Sequence, residues 1–305
     1  MEPAVELIEA HKSYGSVQAL KGVNIAIPEG ELIAMLGPNG AGKTTAISLM
    51  LGLRKPTAGR ALLFGMDPTQ RSARSRCGVM LQESGVNGAL HVRELVDLFR
   101  AYYPRPMPAG RAIALAGLQE QASVAASKLS GGQRQRLYYA LAVCGDPDVL
   151  FLDEPTVGMD VESRRGFLDA IKEFAAEGKT IVLTTHYLEE ADELAERIVV
   201  VDSGVVIADA PPAEIKARVA GKRVTFDTDQ ALGEEDFRGM PVNHLELRGS
   251  HVRLLSNQPE PVLGALFRRD VSIRNLEVVG ADLEEAFLAL TAHGAGERSS
   301  EEVAG

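Results

Sequence analysis

Short apolar runs and longer amphipathic segments alternate over the first 220 residues of the chain. The runs have the length of buried strands, and the segments between them repeat apolar positions at helical spacing. This alternation predicts an α/β domain built on a largely parallel sheet. The strand-like runs include 32–36, 149–152 and 180–184, and the helical patterns include 44–53, 163–177 and 188–196.

Two parts of this domain follow a different pattern. Near the start, the apolar runs 5–10 and 23–27 flank Tyr14-Gly15, which predicts antiparallel strands ahead of the main sheet. Between residues 83 and 136, helical patterns replace the strand-like runs. The sequence therefore predicts an α/β core that carries an antiparallel β subdomain and a helical subdomain.

The pattern changes after the prolines at 211 and 212, and a second unit begins beyond Gly221. A short helical pattern at 213–219 leads to Gly221, after which strand-like and helical segments resume. We expect a main domain at 1–220 and a small α+β domain at 221–292. The last residues, 293–305, lack apolar periodicity and are expected to be a disordered tail. The predicted strands of the small domain are 222–226, 244–248, 252–256 and 272–279, and its helices are 261–269 and 282–290.

Composition and charge narrow the classes of function. A formal net charge of −10 argues against a nucleic-acid binder, because that role normally needs an excess of Lys and Arg. No segment approaches the ~18 apolar residues of a membrane-spanning helix. The start, Met1-Glu2-Pro3-Ala4, lacks the basic and apolar regions of a secretory signal. We therefore expect a cytoplasmic protein that does not cross a membrane by itself.

The segment from Gly37 to Thr44 matches the complete P-loop pattern, and it lies between an apolar run and a helical pattern. In such a loop, backbone N–H groups surround phosphates, Lys43 neutralises phosphate oxygens, and the Thr44 hydroxyl binds Mg²⁺. The alternative is a glycine-rich turn with a chance lysine. The predicted nucleotide-binding residues are Gly37, Asn39, Gly40, Ala41, Gly42, Lys43, Thr44 and Thr45.

Two carboxylates follow the apolar run 149–152. Asp153 and Glu154 are thus expected at the carboxyl end of a strand, where open α/β sheets bind their ligands. Taken alone, such a pair is usually a helix cap or a loop. Together with the P-loop, it predicts that Asp153 belongs to the Mg²⁺ site and that Glu154 activates the attacking water as general base.

A third segment, Leu129-Ser130-Gly131-Gly132-Gln133, occurs once, ahead of the acidic pair. Together with the P-loop, this segment resembles the signature of the ABC ATPase family. The resemblance covers about the first 220 residues and is weaker beyond them. It implies a P-loop NTPase fold of the ABC type that binds and hydrolyses ATP with Mg²⁺.

The resemblance also implies roles for residues that carry little information singly. Gln82 corresponds to a glutamine that reaches the metal or the attacking water, and His186 corresponds to a histidine that contacts the γ-phosphate. Tyr14 falls where the family stacks an aromatic ring on adenine. Asp160 ends a Val-Gly-Met-Asp segment at the family's intersubunit loop, where Ser-Ala-Leu-Asp is commoner.

In the ABC family, the signature of one subunit completes the ATP site of another. The Ser130 hydroxyl and the amides of Gly131 and Gly132, at the start of a helix with Gln133, would bind a γ-phosphate. The chain contains one P-loop and one signature. The resemblance therefore implies a second ATPase subunit, in a homodimer or in a heterodimer.

Three classes of ABC ATPase remain to be separated. Residues 45–128 leave no room for the long coiled coil of the repair-type members, and ribosome-acting members typically carry two ATPase domains. A transport ATPase remains, with a separate transmembrane permease as partner and the helical stretch 90–103 as its docking surface, unless that stretch serves ordinary helix packing. The protein would then be peripheral on the cytoplasmic face of the membrane.

The direction of transport is predicted from three further segments. The run 185–192, the variant at 156–160 and the ending 276–290, which includes 280–287, resemble ATPases of drug- and antibiotic-resistance exporters. This resemblance implies export of drugs, antibiotics or lipid-like compounds. An importer ATPase with a regulatory carboxyl-terminal domain is the alternative, and a non-transport ABC ATPase is a third possibility.

Overall fold

The computed structural model describes residues 3–81, 85–218, 221–280, 282–288, 290 and 291. The chain forms two compact units, Met1–Pro211 and Pro212–Gly305. The division lies ahead of the helix Pro212–Arg218, which the sequence pattern had placed at the end of the first domain.

The first unit is built mainly on a six-stranded sheet that confirms the predicted α/β core. The strands of the unit are β1 (Val5–Tyr14), β2 (Val17–Ile27), β3 (Leu32–Leu36), β4 (Ala58–Leu63), β5 (Cys77–Met80), β6 (Val149–Asp153), β7 (Thr180–Thr184), β8 (Arg197–Asp202) and β9 (Val205–Ala210). Its helices are α1 (Lys43–Met50), α2 (Arg71–Arg74), α3 (Val92–Arg100), α4 (Ala109–Leu115), α5 (Gly131–Val143), α6 (Val161–Ala176) and α7 (Leu188–Leu194).

The strand order in the main sheet brings the predicted motifs to one edge. The order is β5-β6-β7-β3-β8-β9, and all neighbours are parallel except β8 and β9. Every residue of β3, β6 and β7 is buried, which agrees with their continuous apolar character. Because these three strands are parallel neighbours, the segments that follow them meet at the same end of the sheet.

The antiparallel and helical subdomains are also confirmed. Strands β2, β1 and β4 form a separate antiparallel sheet, in which β1 and β2 are longer than their apolar runs and meet at a tight turn next to Gly15. Helices α3, α4 and α5 pack together in the helical part. Val92, Leu95 and Val96 bury one face of α3 in this packing.

The second unit is the predicted small α+β domain, with a strand order that the sequence did not supply. It contains α8 (Pro212–Arg218), β10 (Lys222–Thr228), β11 (His244–Arg248), β12 (His251–Ser256), α9 (Pro259–Arg268) and β13 (Ile273–Gly280), followed by helical residues 283–288. The sheet is antiparallel with the order β11-β12-β10-β13. Phe226, Leu254 and Leu266 lie in its core, so the unit buries an apolar centre of its own.

Candidate functional site

The P-loop connects β3 to α1 and is shaped by contacts that exclude side chains. A Cβ atom on Gly37 would collide with the carbonyl oxygen of Val201. Gly42 has a φ of 110°, and a Cβ there would lie 2.7 Å from the carbonyl oxygen of Ala19. Gly42 is also the N-cap of α1 and supplies no side-chain cap, so the first N–H groups of the helix face the loop. The loop is therefore built to surround an anion with backbone donors.

Lys43 is held inside this loop. Its side chain is 7% exposed, and Nζ donates to the carbonyl oxygens of Gly37 at 2.6 Å and Pro38 at 3.1 Å. Burial lowers the pKa of Lys43, and the nearby charges of Glu154 and Asp153 oppose this shift. The ammonium is thus a partly desolvated cation beside two carboxylates. Its hydrogen bonds to the two carbonyl oxygens can be replaced by hydrogen bonds to phosphate oxygens.

The two predicted carboxylates at the end of β6 differ in environment. Asp153 is 3% exposed and accepts a hydrogen bond from Thr184 Oγ1 at 2.5 Å. Glu154 has a φ of 50°, in the left-handed region that few non-glycine residues adopt. Its N–H donates to the carbonyl oxygen of Thr184 at 3.0 Å and to Thr184 Oγ1 at 3.1 Å. Strand β7 thereby fixes the turn that directs Glu154 out of the sheet.

His186 follows β7 and lies next to Glu154. Its Nδ1 is 3.7 Å from Glu154 Oε2, and the imidazole is 44% exposed. Both side chains line one cavity of about 600 Å³ together with the P-loop. The lining residues are Ala19, Asn39, Gly40, Ala41, Gly42, Lys43, Thr44, Thr45, Glu154 and His186. The sheet order has therefore joined three motifs that are far apart in the sequence.

One residue that lines this cavity was not predicted from the sequence, and one predicted site residue does not line it. Ala19 lines the cavity from β2, although nothing in its sequence context marks it as functional. Tyr14, at the end of β1, is 45% exposed and is not one of the cavity-lining residues. Lys12 Nζ lies 5.2 Å from the centre of the Tyr14 ring, a cation–π distance.

The signature residues form a helix start that does not line this cavity. Ser130 is the exposed N-cap of α5, and its Oγ accepts from the Gln133 N–H at 3.2 Å. Gln133 Oε1 in turn accepts from the Ser130 N–H at 3.0 Å. This is a capping box, a role for Gln133 that the Ser-x-x-Gln spacing could have predicted. The Ser130 hydroxyl keeps its proton for another acceptor.

Asp160 lies at a second exposed helix start. It is the N-cap of α6 and accepts from the Ser163 N–H at 2.8 Å and from Ser163 Oγ at 2.7 Å. These hydrogen bonds lower the pKa of Asp160. Gln82, the remaining predicted site residue, lies outside the described residues.

The described part of the chain contains neither a cluster of metal-ligating side chains nor a membrane-spanning helix. Across residues 3–291, apart from the gaps given above, no group of three or more His, Cys, Asp or Glu side chains is arranged to hold a metal ion. Over the same residues, none of the helices combines the length and the apolar character needed to span a bilayer.

Comparison with known proteins agrees with this site. The family model described as "ABC transporter" matches residues 20–157. The Nod factor export ATP-binding protein I of Burkholderia orbicola (strain AU 1054) is 35% identical over 295 residues, covering 94% of this chain and 96% of that protein. The daunorubicin resistance ATP-binding protein DrrA3 of Streptomyces coeruleorubidus is 36% identical over 300 residues, covering 94% of this chain and 92% of that protein.

Solved structures give the same result for the first unit. A dimeric bacterial ABC transporter cassette is 28% identical, with a TM-score of 0.63, over 68% of this chain and 98% of the cassette. The same cassette in a post-hydrolysis state with ADP and Pi matches with a TM-score of 0.62. Two relatives above 30% identity each cover 94% of the chain. The chain therefore belongs to the ABC transporter family, as an ATP-binding subunit with ATPase activity.

Proposed function

We propose that this subunit hydrolyses ATP to drive export through a separate transmembrane permease. The observation that carries the hydrolytic role is the convergence of Glu154 and His186 on the cavity formed by the P-loop. Support for export comes from relatives that are named for Nod factor export and daunorubicin resistance and that match both units. We infer a substrate among drugs, antibiotics or lipid-like compounds, and a peripheral position on the cytoplasmic face through the permease.

In the proposed mechanism, the chain binds ATP before it acts on water. The backbone N–H groups of the P-loop and the Lys43 ammonium bind the β- and γ-phosphates. The Glu154 carboxylate accepts a proton from the water that attacks the γ-phosphorus, the bond from that phosphorus to the β,γ-bridging oxygen breaks, and ADP is the leaving group. His186 contacts the γ-phosphate from the end of β7. The 3.7 Å between Glu154 Oε2 and His186 Nδ1 supports roles for both groups at the same phosphate.

The residues present fit a magnesium ion. Mg²⁺ in nucleotide sites usually keeps several waters and takes one or two protein ligands besides phosphate oxygens, so a dense ligand cluster is not needed. The Thr44 hydroxyl is exposed in the first turn of α1 and lines the cavity. Asp153, fixed by Thr184, would hold the hydration shell, and Gln82 is proposed as a further contact. The ion would neutralise charge on the β- and γ-phosphates.

We further propose that the ATP site is completed by a second subunit. The exposed hydroxyl of Ser130 and the α5 amino terminus do not line the cavity of their own chain, yet they offer donors for a phosphate. Asp160 would lie at the interface between the two subunits. The dimeric cassette at 28% identity supports this arrangement.

Mixing two inactive variants tests the composite site. Lys43→Met disables the P-loop, and Ser130→Arg fills the signature surface. In a mixed dimer, one interface contains both lesions, and the other pairs an intact P-loop with an intact signature. We expect the mixture of the two variants to dimerise with ATP, as measured by light scattering. Neither variant alone should dimerise.

Folding has to be checked for both variants, because loss of the Ser130 N-cap costs about 0.5–2 kcal/mol. Each variant mixed with itself is the control. A mixture of two folded variants that does not dimerise at any ratio would rule out a site shared between two copies of this chain.

The permease is proposed to dock on the exposed part of α3 and the turn that follows it. The structure divides the predicted apolar stretch: Leu95 is 1% exposed and belongs to the core, whereas Leu98 is 46% and Tyr102 70% exposed. Packing in the core therefore does not explain why Leu98 and Tyr102 are apolar. Their apolar surface is available to a helix of the permease.

We expect the double variant Leu98→Ser/Tyr102→Ser to lose copurification with the co-expressed permease, because it removes exposed apolar area without opening the core. ATP binding by the isolated subunit should stay within about twofold, since a single exposed contact rarely affects a distant site. Leu53→Ser, at a leucine that is 51% exposed, is the matched control. Unchanged copurification of the double variant would contradict this docking surface.

A further inference from the structure

Glu190, on α7, is a buried carboxylate that the proposed chemistry does not use. It is 2% exposed. Its Oε1 accepts from Thr156 Oγ1 at 2.7 Å, and its Oε2 accepts from Thr185 Oγ1 at 2.8 Å. Arg164 Nε lies 3.6 Å from Oε1, an ion-pair distance that is too long for a hydrogen bond. A buried carboxylate is costly unless such partners satisfy it, so this geometry is strongly constrained.

The two threonines belong to different functional loops. Thr185 directly precedes His186, and its Oγ1 also accepts from the Tyr187 N–H at 3.0 Å. Thr156 begins the segment 156–160, which ends at Asp160. Both threonine side chains are 1% exposed, so water does not readily replace the carboxylate as their partner. One side chain therefore fixes the loop of His186 and the loop of Asp160 to each other.

Arg164 adds a second connection between the same loops. It lies in the second turn of α6, the helix that Asp160 caps. Its guanidinium carbon is 4.1 Å from the centre of the Tyr187 ring, and that ring is 4.1 Å from the imidazole of His186. A displacement of His186 would thus disturb both the Tyr187 stack and the Glu190 hydrogen bonds.

The segment 156–160 is also attached to the signature helix. Gln135 Nε2 donates to the carbonyl oxygen of Val157 at 3.3 Å. Arg136 Nη2 donates to the carbonyl oxygen of Ser163 at 2.9 Å, and Ser163 lies in the first turn of α6, directly after the segment. Both donors lie on α5, whose first turn carries the signature. The segment is therefore held by the His186 loop on one side and by the signature helix on the other.

We propose that Glu190 is a positioning residue that transmits the placement of His186 to Asp160 and to the signature helix. Contact of His186 with a γ-phosphate in the chain's own cavity would thereby set the surface that completes the second site. This inference rests on the proposed function, in which His186 contacts phosphate and the signature acts on a partner. The alternative is that Glu190 only stabilises the fold of α7.

The proposal is tested in the full chain with variants that cut one connection each. Thr156→Val and Thr185→Val remove a single hydroxyl at nearly constant volume, and Glu190→Gln replaces one acceptor oxygen by a donor. Glu189→Gln, at the exposed neighbour on α7, is the matched control. Thermal unfolding defines a temperature at which every variant is folded, and all measurements are made there.

Hydrogen exchange without nucleotide gives the first readout. We expect Thr185→Val to accelerate exchange in residues 156–160, and Thr156→Val to accelerate it in residues 185–187, because both act through one carboxylate. Glu190→Gln should accelerate hydrogen exchange in both segments. Acceleration confined to the mutated loop, or none in either loop, would overturn the proposal and leave a purely structural role.

Turnover gives the second readout. We expect kcat for ATP hydrolysis to fall about tenfold or more in each single-threonine variant and in Glu190→Gln, while KM changes less than about threefold. The Thr156→Val/Thr185→Val double variant should be no slower than the worse single variant. Additive losses, or kcat within twofold of the wild type, would contradict the positioning role.

The two readouts separate this inference from the proposed function. A wild-type chain without ATPase turnover would refute the proposed catalytic roles, whereas the exchange experiment would still decide whether Glu190 couples the loops. Active wild type and control, together with unchanged exchange in the threonine variants, would refute only the inference.

Discussion

Replacing Glu154 by Gln should abolish nearly all ATP turnover while leaving ATP binding intact. An amide cannot accept the proton of the attacking water, and general-base catalysis typically contributes on the order of 10²- to 10⁴-fold to the rate. The substitution preserves the size of the side chain and both hydrogen bonds that the Glu154 N–H donates, one to the Thr184 carbonyl oxygen and one to Thr184 Oγ1. We therefore expect kcat to fall at least about a hundredfold, and ATP to accumulate in a stable dimer.

Two measurements check this result. Phosphate release gives turnover, and light scattering with ATP gives the dimer. Glu173→Gln, at an exposed glutamate on α6, makes the same chemical change away from the cavity and should retain wild-type turnover. Turnover of Glu154→Gln within a few fold of the wild type would show that another group activates the water.

Replacing Lys43 by Met should weaken ATP binding itself. The methionine keeps the aliphatic stem inside the loop but has no ammonium for the phosphates. Hydrogen bonds to charged groups contribute about 1.5–3 kcal/mol each, so the affinity should fall about ten- to a hundredfold. Burial desolvates the Lys43 ammonium and thereby lowers the pKa of Lys43. The substitution therefore also removes the free-energy cost of holding a partly desolvated charge in the folded protein.

Calorimetric titration with ATP measures the loss, and thermal unfolding without nucleotide shows that the variant is folded. Lys172→Met is the matched control, because Lys172 makes an exposed ion pair with Glu193 at 2.7 Å, a type of contact that contributes about 0–1 kcal/mol. Unchanged affinity in folded Lys43→Met would contradict a phosphate-binding role for this residue.

Several parts of the site could be predicted because they are encoded by consecutive residues. The P-loop, the Asp153-Glu154 pair and the signature are each local, since their chemistry depends on adjacent backbone groups or on the end of one strand. The α/β core and the small α+β domain were likewise predicted from periodicity, because burial of one face leaves a regular trace in the sequence. The family assignment followed from the same local segments and is confirmed by the relatives.

Other parts depended on contacts between distant segments. Ala19 carries no functional signal, and it reaches the cavity because its strand passes against the glycine that caps α1. Glu190 resembles any acidic residue of a surface helix in the sequence, yet it is buried between two loops. The structure groups the helix Pro212–Arg218 with the second unit, whereas the sequence pattern predicts the boundary after residue 220.

The sequence by itself determined that this chain carries a phosphate-binding loop, an acidic pair and an ABC signature, since each motif works through neighbouring residues. Only the tertiary structure decided that β6, β7 and β3 are adjacent, and therefore that Glu154, His186 and the P-loop share one cavity while the signature faces elsewhere. Strand order is set by which apolar faces pack together over the whole domain, and no single segment encodes that choice.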